Sequence, residues 1–325
     1  QISKRTLQLC AHEHYEDCPW REQSLYAFDA RLQALYGYHA FKEYEFSAQS
    51  LNLLSKGLRR DGLLELCAPS QIPINIPSFS LHWIIAVREL LEYSGQKKLV
   101  AHHSPVIKAI LDAALSRLTN DNIVVNSTES EYWHFYEWSD GLSGDLESNL
   151  NGKTSLPRFD ACYNLLLIDA LRSVHVIDRQ LSSYRDFAKQ ISNSFHDFFW
   201  DKNRKLYASF VNPDGKKYHF AQLTQALAIM QGIVHDSQID ELCSKIINDK
   251  TLVRGSLSSL YFIYESLLST DLKYLGFVFR DIKEKFGSMI KHGATSLWET
   301  TEGSSAFDNA GSLPWLEFDI CLYCW

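Results

Sequence analysis

The sequence predicts an all-α protein, an array of helical hairpins packed around one core. Apolar residues recur at helical spacing through most of the 325 residues, which is the mark of amphipathic helices. The breaks between these segments are short and punctuated by Gly, Pro or Asn-Pro-Asp-Gly. No sustained apolar/polar alternation suggests a sheet of any size. The length suits one large domain or two ordinary ones; with no internal repeat visible, a single domain over 1–325 is the economical arrangement.

Residues 3–15 read as the first helix, with Leu7, Cys10 and His14 at helical spacing. The Cys18-Pro19 step should interrupt it, because proline lacks an amide donor and clashes with the turn before it. A second helix is predicted over 20–38, with Pro19 at its first turn and Asp17 near its N-cap. A third covers 41–58 and closes at Gly57. Pro69, Pro73 and Pro77 exclude regular helix from the next loop, after which helices are predicted over 79–93 and 105–118. Trp83 sits just inside the first of these. Between 120 and 158 the rhythm fails in the run EYWHFYEWSDGLSGDLE, an irregular or β-hairpin insertion that carries Trp133, Trp138 and Asp140. Binding residues and inward-packed rings are equal readings of it. Helices resume over 159–177, 180–199, 219–233, 237–247, 256–269 and 273–290, about twelve with the last pair.

Hydrophobic residues make up 46% and charged residues 22%, as in a globular chain rather than a disordered one. The aromatic share, 13% with 8 Trp and 16 Tyr, suits either an aromatic core or a neutral polyhydroxylated ligand. In the second case rings stack on the sugar and carboxylates accept its hydroxyl protons. A net charge of -7 without a long basic run argues against a nucleic-acid surface. No apolar run of about eighteen residues is present to span a membrane. QISKRTLQLC lacks the apolar core of a signal peptide. The seven cysteines look unpaired, including the Cys321/Cys324 pair, which no second pair or histidine cluster completes as a metal site. That usage favours a reducing, cytoplasmic setting. The chain starts without Met and stops inside the apolar run FDICLYCW, so its ends read as truncated or docked on other material.

Two stretches carry chemistry. The first is EDCPWREQSLYAFDAR, Glu16 to Arg31. On the predicted helix Glu22 and Asp29 lie seven residues apart, about two turns, and so share a face with Tyr26. Carboxylates are costly to bury unless something uses them, which suggests the floor of an acidic, aromatic-lined pocket; solvated acids and a plain helix cap are the alternative. Arg21, about 100° round the helix from Glu22, should point elsewhere and pair with Asp17. The second stretch is the glycine-bounded loop GATSLWETTEGSS at 293–305. Its Trp298-Glu299 step can set a carboxylate against a sugar face, though alone it reads more simply as a surface loop anchored by its Trp.

Together, DCPWREQSLYAFD (17–29) and GATSLWE (293–299) resemble the acid motif and base loop of the six-hairpin catalytic domain of bacterial α-L-rhamnosidases. The resemblance implies an (α/α)6 barrel of six helical hairpins that hydrolyses terminal α-L-rhamnosides with inversion. It implies Glu22 as general acid and Glu299 as general base. Asp17 and Asp29 would bind sugar hydroxyls, with Arg21 in the same motif. Tyr26, where the family often has Trp, joins Trp83, Trp138, Asp140 and Trp298 as pocket walls or hydroxyl ligands. No metal or organic cofactor is implied; β-sandwich domains of a longer parent chain are. The sequence departs from the pattern at Gly311-Ser312-Leu313, followed by Pro314-Trp315 where members commonly show histidine. Three rivals stand beside this reading: a six-hairpin glycosidase for glucosides or uronic-acid-containing sugars, a non-catalytic carbohydrate-binding remnant, and a helical scaffold for protein partners.

Overall fold

A computed structural model describes residues 1–19, 21–68 and 70–301. The first half contributes α1 (Ile2–Leu9), α2 (Ala27–Phe41), α3 (Glu45–Ser55), α4 (Pro77–Ser94), α5 (Ser104–Leu115) and a single-turn α6 (Leu146–Leu150). The second half contributes α7 (Ala161–Ile177), α8 (Tyr184–Phe199), α9 (Gln222–Met230), α10 (Asp236–Asn248), α11 (Leu260–Thr270) and α12 (Leu275–Lys291). Among the described residues, five two-residue strands, β1 (Phe159–Asp160), β2 (Trp200–Asp201), β3 (Leu206–Tyr207), β4 (Phe210–Val211) and β5 (Lys217–Tyr218), form two small antiparallel sheets. The Asn212–Gly215 turn joins β4 to β5, which pair as a hairpin.

Helices alternate between two kinds. In α2 eleven of fifteen residues are buried, on every side of the helix. In α8 the buried residues are Tyr184, Ala188, Ile191, Phe195 and Phe199, a single stripe at three- and four-residue spacing. A helix apolar all round belongs inside, and one with a stripe outside. Inner helices accordingly pack in succession, α2 on α4, α4 on α7, α7 on α9 and α9 on α11. Phe28 of α2 stacks on Phe262 of α11, with centroids 6.1 Å apart, and brings the first inner helix against the last described one. This is the layout of an (α/α) barrel.

Inside it, a charged group ties neighbouring inner helices together. Arg31 of α2 donates from Nε to both oxygens of Glu89 on α4, at 3.2 and 3.0 Å, and from Nη2 to Oε1 at 2.7 Å. Its Nη1 donates to His82 Nδ1 at 2.9 Å. Burial, and then the Arg31 charge, holds His82 well below its ordinary pKa, so the ring stays neutral and can accept.

The sequence-based expectations fail at several boundaries. The first helix ends at Leu9, not residue 15, and Ala11 pairs back onto Tyr15. The second begins at Ala27, not residue 20, because Asp17 engages Ser24 through both backbone and side chain, closing a loop instead of capping a helix. Of the two readings of 120–158, irregular or β-hairpin, the irregular one holds, with the short α6 and isolated bridges such as Asn75 to Tyr132. Cys18, Cys67, Cys162 and Cys243 are free thiols, but Cys10 is disulfide-bonded, against the expectation that all seven are unpaired. No described helix is long and apolar enough to cross a membrane.

Candidate active site

The loop from Asp17 to Tyr26 is built by its own backbone. The Asp17 amide donates to the Ser24 carbonyl at 2.9 Å, and the Ser24 amide returns a bond to Asp17 Oδ1 at 2.8 Å. Gln23 takes a left-handed φ of 53° to make the reversal, and its side chain donates to the Pro19 carbonyl at 2.8 Å. Ala68 donates to the Leu25 carbonyl and pins the loop to the next segment. Glu22 therefore sits on a tight loop and Asp29 on the first turn of α2, not on two turns of one helix. They still converge. Asp17, Glu22, Tyr26 and Asp29 line one side of a cavity of about 200 Å³, faced by Phe79, Trp133 and other apolar side chains.

Electrostatics in this cavity follow from burial. Asp17 is pushed up to about 6, first by burial and also by the Glu22 charge, against hydrogen bonds from Cys18 and Ser24. Its Oδ2 is buried without a hydrogen-bond partner among the described residues. Burial and then the Asp17 charge raise Asp29 well above the usual carboxylate range. The Tyr26 hydroxyl donates to Glu22 Oε2 at 2.9 Å; burial and the Glu22 charge keep this phenol protonated.

The late loop arrives from the other side. Leu297 is buried, and its amide donates to Thr6 Oγ1 of α1 at 2.8 Å, so the loop after α12 is fastened to the start of the chain. Two residues on, Glu299 lines a second cavity of about 430 Å³ together with Asp140, Ser256 and Lys285. Its side chain is 13% exposed, against 36% for Glu22. Trp138 walls both cavities. Arg254 also lines the second cavity, but it donates to the carbonyls of Ile246 and Ile247, and Lys285 pairs with Asp281. Among the described residues Lys285 is thus paired with a carboxylate, while the Arg254 charge is held by carbonyls alone.

Arg21 joins the two halves. Its Nη2 lies 3.7 Å from Glu22 Oε1 and 3.8 Å from Glu299 Oε2. A single nitrogen at those two distances puts the carboxylate oxygens no more than about 7.5 Å apart. The expected pairing of Arg21 with Asp17 is thus replaced by a bridge between the glutamates, because Arg21 leaves a loop and not a helix face.

Three of the ten sequence-predicted site residues do not line these cavities: Arg21, which bridges the two glutamates instead, Trp83 and Trp298. Trp83 is fully buried between α3 and α4, donating from Nε1 to the Leu51 carbonyl at 2.9 Å. Its place inside α4 makes it core. Trp298 is half-buried against the core with its ring 6.2 Å from His292. Sequence reasoning passed over Glu137, which is buried behind Trp138; its one sequence signal is adjacency to that Trp in an irregular acidic-aromatic run. Gly311 to Trp315 lie outside the described residues. Elsewhere, a larger groove of about 950 Å³ along α8 contains none of the motif residues. Among the described residues no cluster of three or more His, Cys, Asp or Glu could hold a metal.

Residues 1–312 match the family described as the bacterial alpha-L-rhamnosidase 6 hairpin glycosidase domain. The chain belongs to this family. As a six-hairpin glycosidase domain it superposes on a GH78 family rhamnosidase of Bacillus sp. GL1 with a TM-score of 0.81 and 23% identity, over 92% of this chain and 30% of that one. A rhamnosidase from Klebsiella oxytoca with rhamnose bound gives 0.75 and 20%, over 99% and 58%. A GH63 mannosylglycerate hydrolase from Thermus thermophilus gives 0.69 and 12%, over 92% and 94%. At these identities the likeness is one of fold, an (α/α)6 barrel. The six-hairpin domain spans less than two thirds of both rhamnosidases. No curated protein matches the sequence.

Proposed function

We propose that this domain is a glycosidase that removes terminal α-L-rhamnose with inversion, using Glu22 as general acid and Glu299 as general base. The observation that carries the reading is the shared contact of Arg21, which brings carboxylates from opposite ends of the chain to within about 7.5 Å of each other. Inverting glycosidases hold theirs roughly 6.5–9.5 Å apart and retaining ones nearer 5–5.5 Å; a ceiling of about 7.5 Å admits both, so inversion rests on the motif resemblance and is decided by the anomer formed. Glu22 must exchange its Arg21 contact for a proton as substrate enters, and it gives that proton to the glycosidic oxygen as the bond to C1 breaks. Glu299 takes a proton from the water that attacks C1 on the opposite face. The products are the free alcohol and rhamnose of inverted configuration.

The cavity chemistry favours a deoxy sugar. Asp17 and Asp29 offer acceptors for ring hydroxyls, while Leu66, Phe79 and Phe135 present an apolar wall. A hydroxymethyl group against that wall would lose its hydrogen bonds to water without replacement; the methyl group of a 6-deoxy sugar loses none. No metal or organic cofactor enters this scheme. The carbohydrate is the partner, and flanking β-sandwich domains of a longer parent chain belong to the same proposal.

p-Nitrophenyl α-L-rhamnoside, assayed against a panel of other glycosides, tests the reading. Turnover should fall at least about a thousandfold in both Glu22→Gln and Glu299→Gln, within the roughly 10²–10⁴-fold that a positioned acid or base contributes. The first-formed sugar should be the β-anomer by proton NMR. Full activity in both variants removes the mechanism, an α-anomer product replaces inversion by retention, and turnover of another sugar alone changes the substrate.

A further inference from the structure

Glu137 is fully buried and takes no part in that chemistry. Both its oxygens are occupied: Oε1 accepts from the Ser139 hydroxyl at 2.6 Å, and Oε2 accepts from the Ser139 amide at 2.8 Å and the Ser256 amide at 3.2 Å. The carboxylate thus turns the 137–139 corner and ties it to the segment that enters α11, 119 residues later. A second clamp lies on the far side of Trp138. His219 Nε2 donates to the Asp140 carbonyl at 2.8 Å. Gly141, at a φ of 74°, admits this approach, since a Cβ there would stand 2.6 Å from that imidazole nitrogen. Between the clamps Trp138 projects outward, 47% exposed, with Phe135 packed edge-on at 4.8 Å. Among the described residues it is the one side chain that lines both the Glu22 cavity and the Glu299 cavity.

We propose that Glu137 is a positioning residue: its carboxylate fixes Trp138 as the partition between the sugar cavity and the cavity of the base, and so sets substrate affinity. This rests on the glycosidase reading for its consequence, though not for its geometry. An amide can keep one oxygen for the Ser139 and Ser256 backbone amides and turn its N–H onto the Ser139 hydroxyl, which rotates to accept it; what is lost is the charge that strengthens the two backbone bonds. Weakening two buried charge-assisted bonds is enough to loosen the corner.

The test is a double-mutant cycle with an optical readout. Glu137→Gln should raise KM for the rhamnoside about tenfold, near the cost of one charge-assisted hydrogen bond, with kcat nearly unchanged. Trp138→Ala should raise KM similarly, and the double variant should be no worse than Trp138→Ala alone. Independently of turnover, the fluorescence of Trp138, taken as each protein minus its Trp138→Phe counterpart, should shift to longer wavelength in Glu137→Gln. Should that variant fail to fold, Ser139→Ala, which removes one donor, should show the same shift in smaller measure. Multiplying KM effects or an unmoved Trp138 spectrum overturn the proposal. If the wild type turns over no rhamnoside, the functional reading fails on its own, and the spectrum still decides whether Glu137 holds Trp138.

Discussion

A carboxyl buried beside others, as Asp17 is beside Glu22 and Asp29, binds its proton more tightly folded than unfolded. With its pKa raised from 3.8 to about 6, Asp17 favours the folded state most below pH 4, and that contribution is lost as the pH climbs through 6. Two pKa units correspond to about 3 kcal/mol, and Asp29 pulls the same way. Asp17→Asn keeps an acceptor for the Ser24 amide and removes the charge, so it should raise the melting temperature at pH 8 and leave it unchanged near pH 4. Thermal melts at the two pH values check this. Turnover should fall at the same time, since the stabilised variant gives up a hydroxyl acceptor. At this scale the short motif was readable: Asp17, Glu22, Tyr26 and Asp29 lie close in sequence, and any compact local fold gathers them. Trp83 and Trp298 were not readable, because a ring serves a core and a sugar wall equally well and only its surroundings separate the two.

Elements are held in register by buried charge as well as by apolar packing. Arg31 and Glu89 are both buried, with Arg88 linking Glu89 onward to Asp169 of α7. Arg31→Ala leaves the Glu89 carboxylate without its main partner and should destabilise the protein by about 3–5 kcal/mol. Arg31→Lys should recover only part of this, since an ammonium cannot make the two-pronged contact. Urea unfolding followed by circular dichroism measures both. Helices were legible from their period, and most lie within a few residues of the predicted bounds. The start of α2 was the costly miss. Pro19 reads as a helix opener, but the reciprocal bonds between Asp17 and Ser24 give the backbone a competing local solution, and a residue-by-residue propensity does not see a pair seven positions apart.

On the scale of the whole molecule, the site exists because the beginning and the late part of the described chain are fastened together at Leu297 and Thr6. Leu297→Ala should cost about 2–5 kcal/mol, as for other buried leucines. It should lower kcat more than it raises KM, because Glu299 loses its support two residues away; steady-state kinetics beside an unfolding curve separate the two effects. The sequence motifs led to the expectation that Glu22 and Glu299 share one site, which the Arg21 bridge supports. They could not say what stands between them, since that depends on the direction in which Arg21 leaves its loop. With one guanidinium nitrogen 3.7 and 3.8 Å from the two glutamates, whatever occupies that gap must displace a cation or supply one. A ligand that displaces the Arg21 guanidinium takes a positive charge away from the two glutamates; an iminosugar protonated at the ring nitrogen supplies one in its place, and a neutral lactone of the same shape does not. Competitive inhibition should therefore favour the iminosugar, by a margin that narrows as added salt screens the exchange.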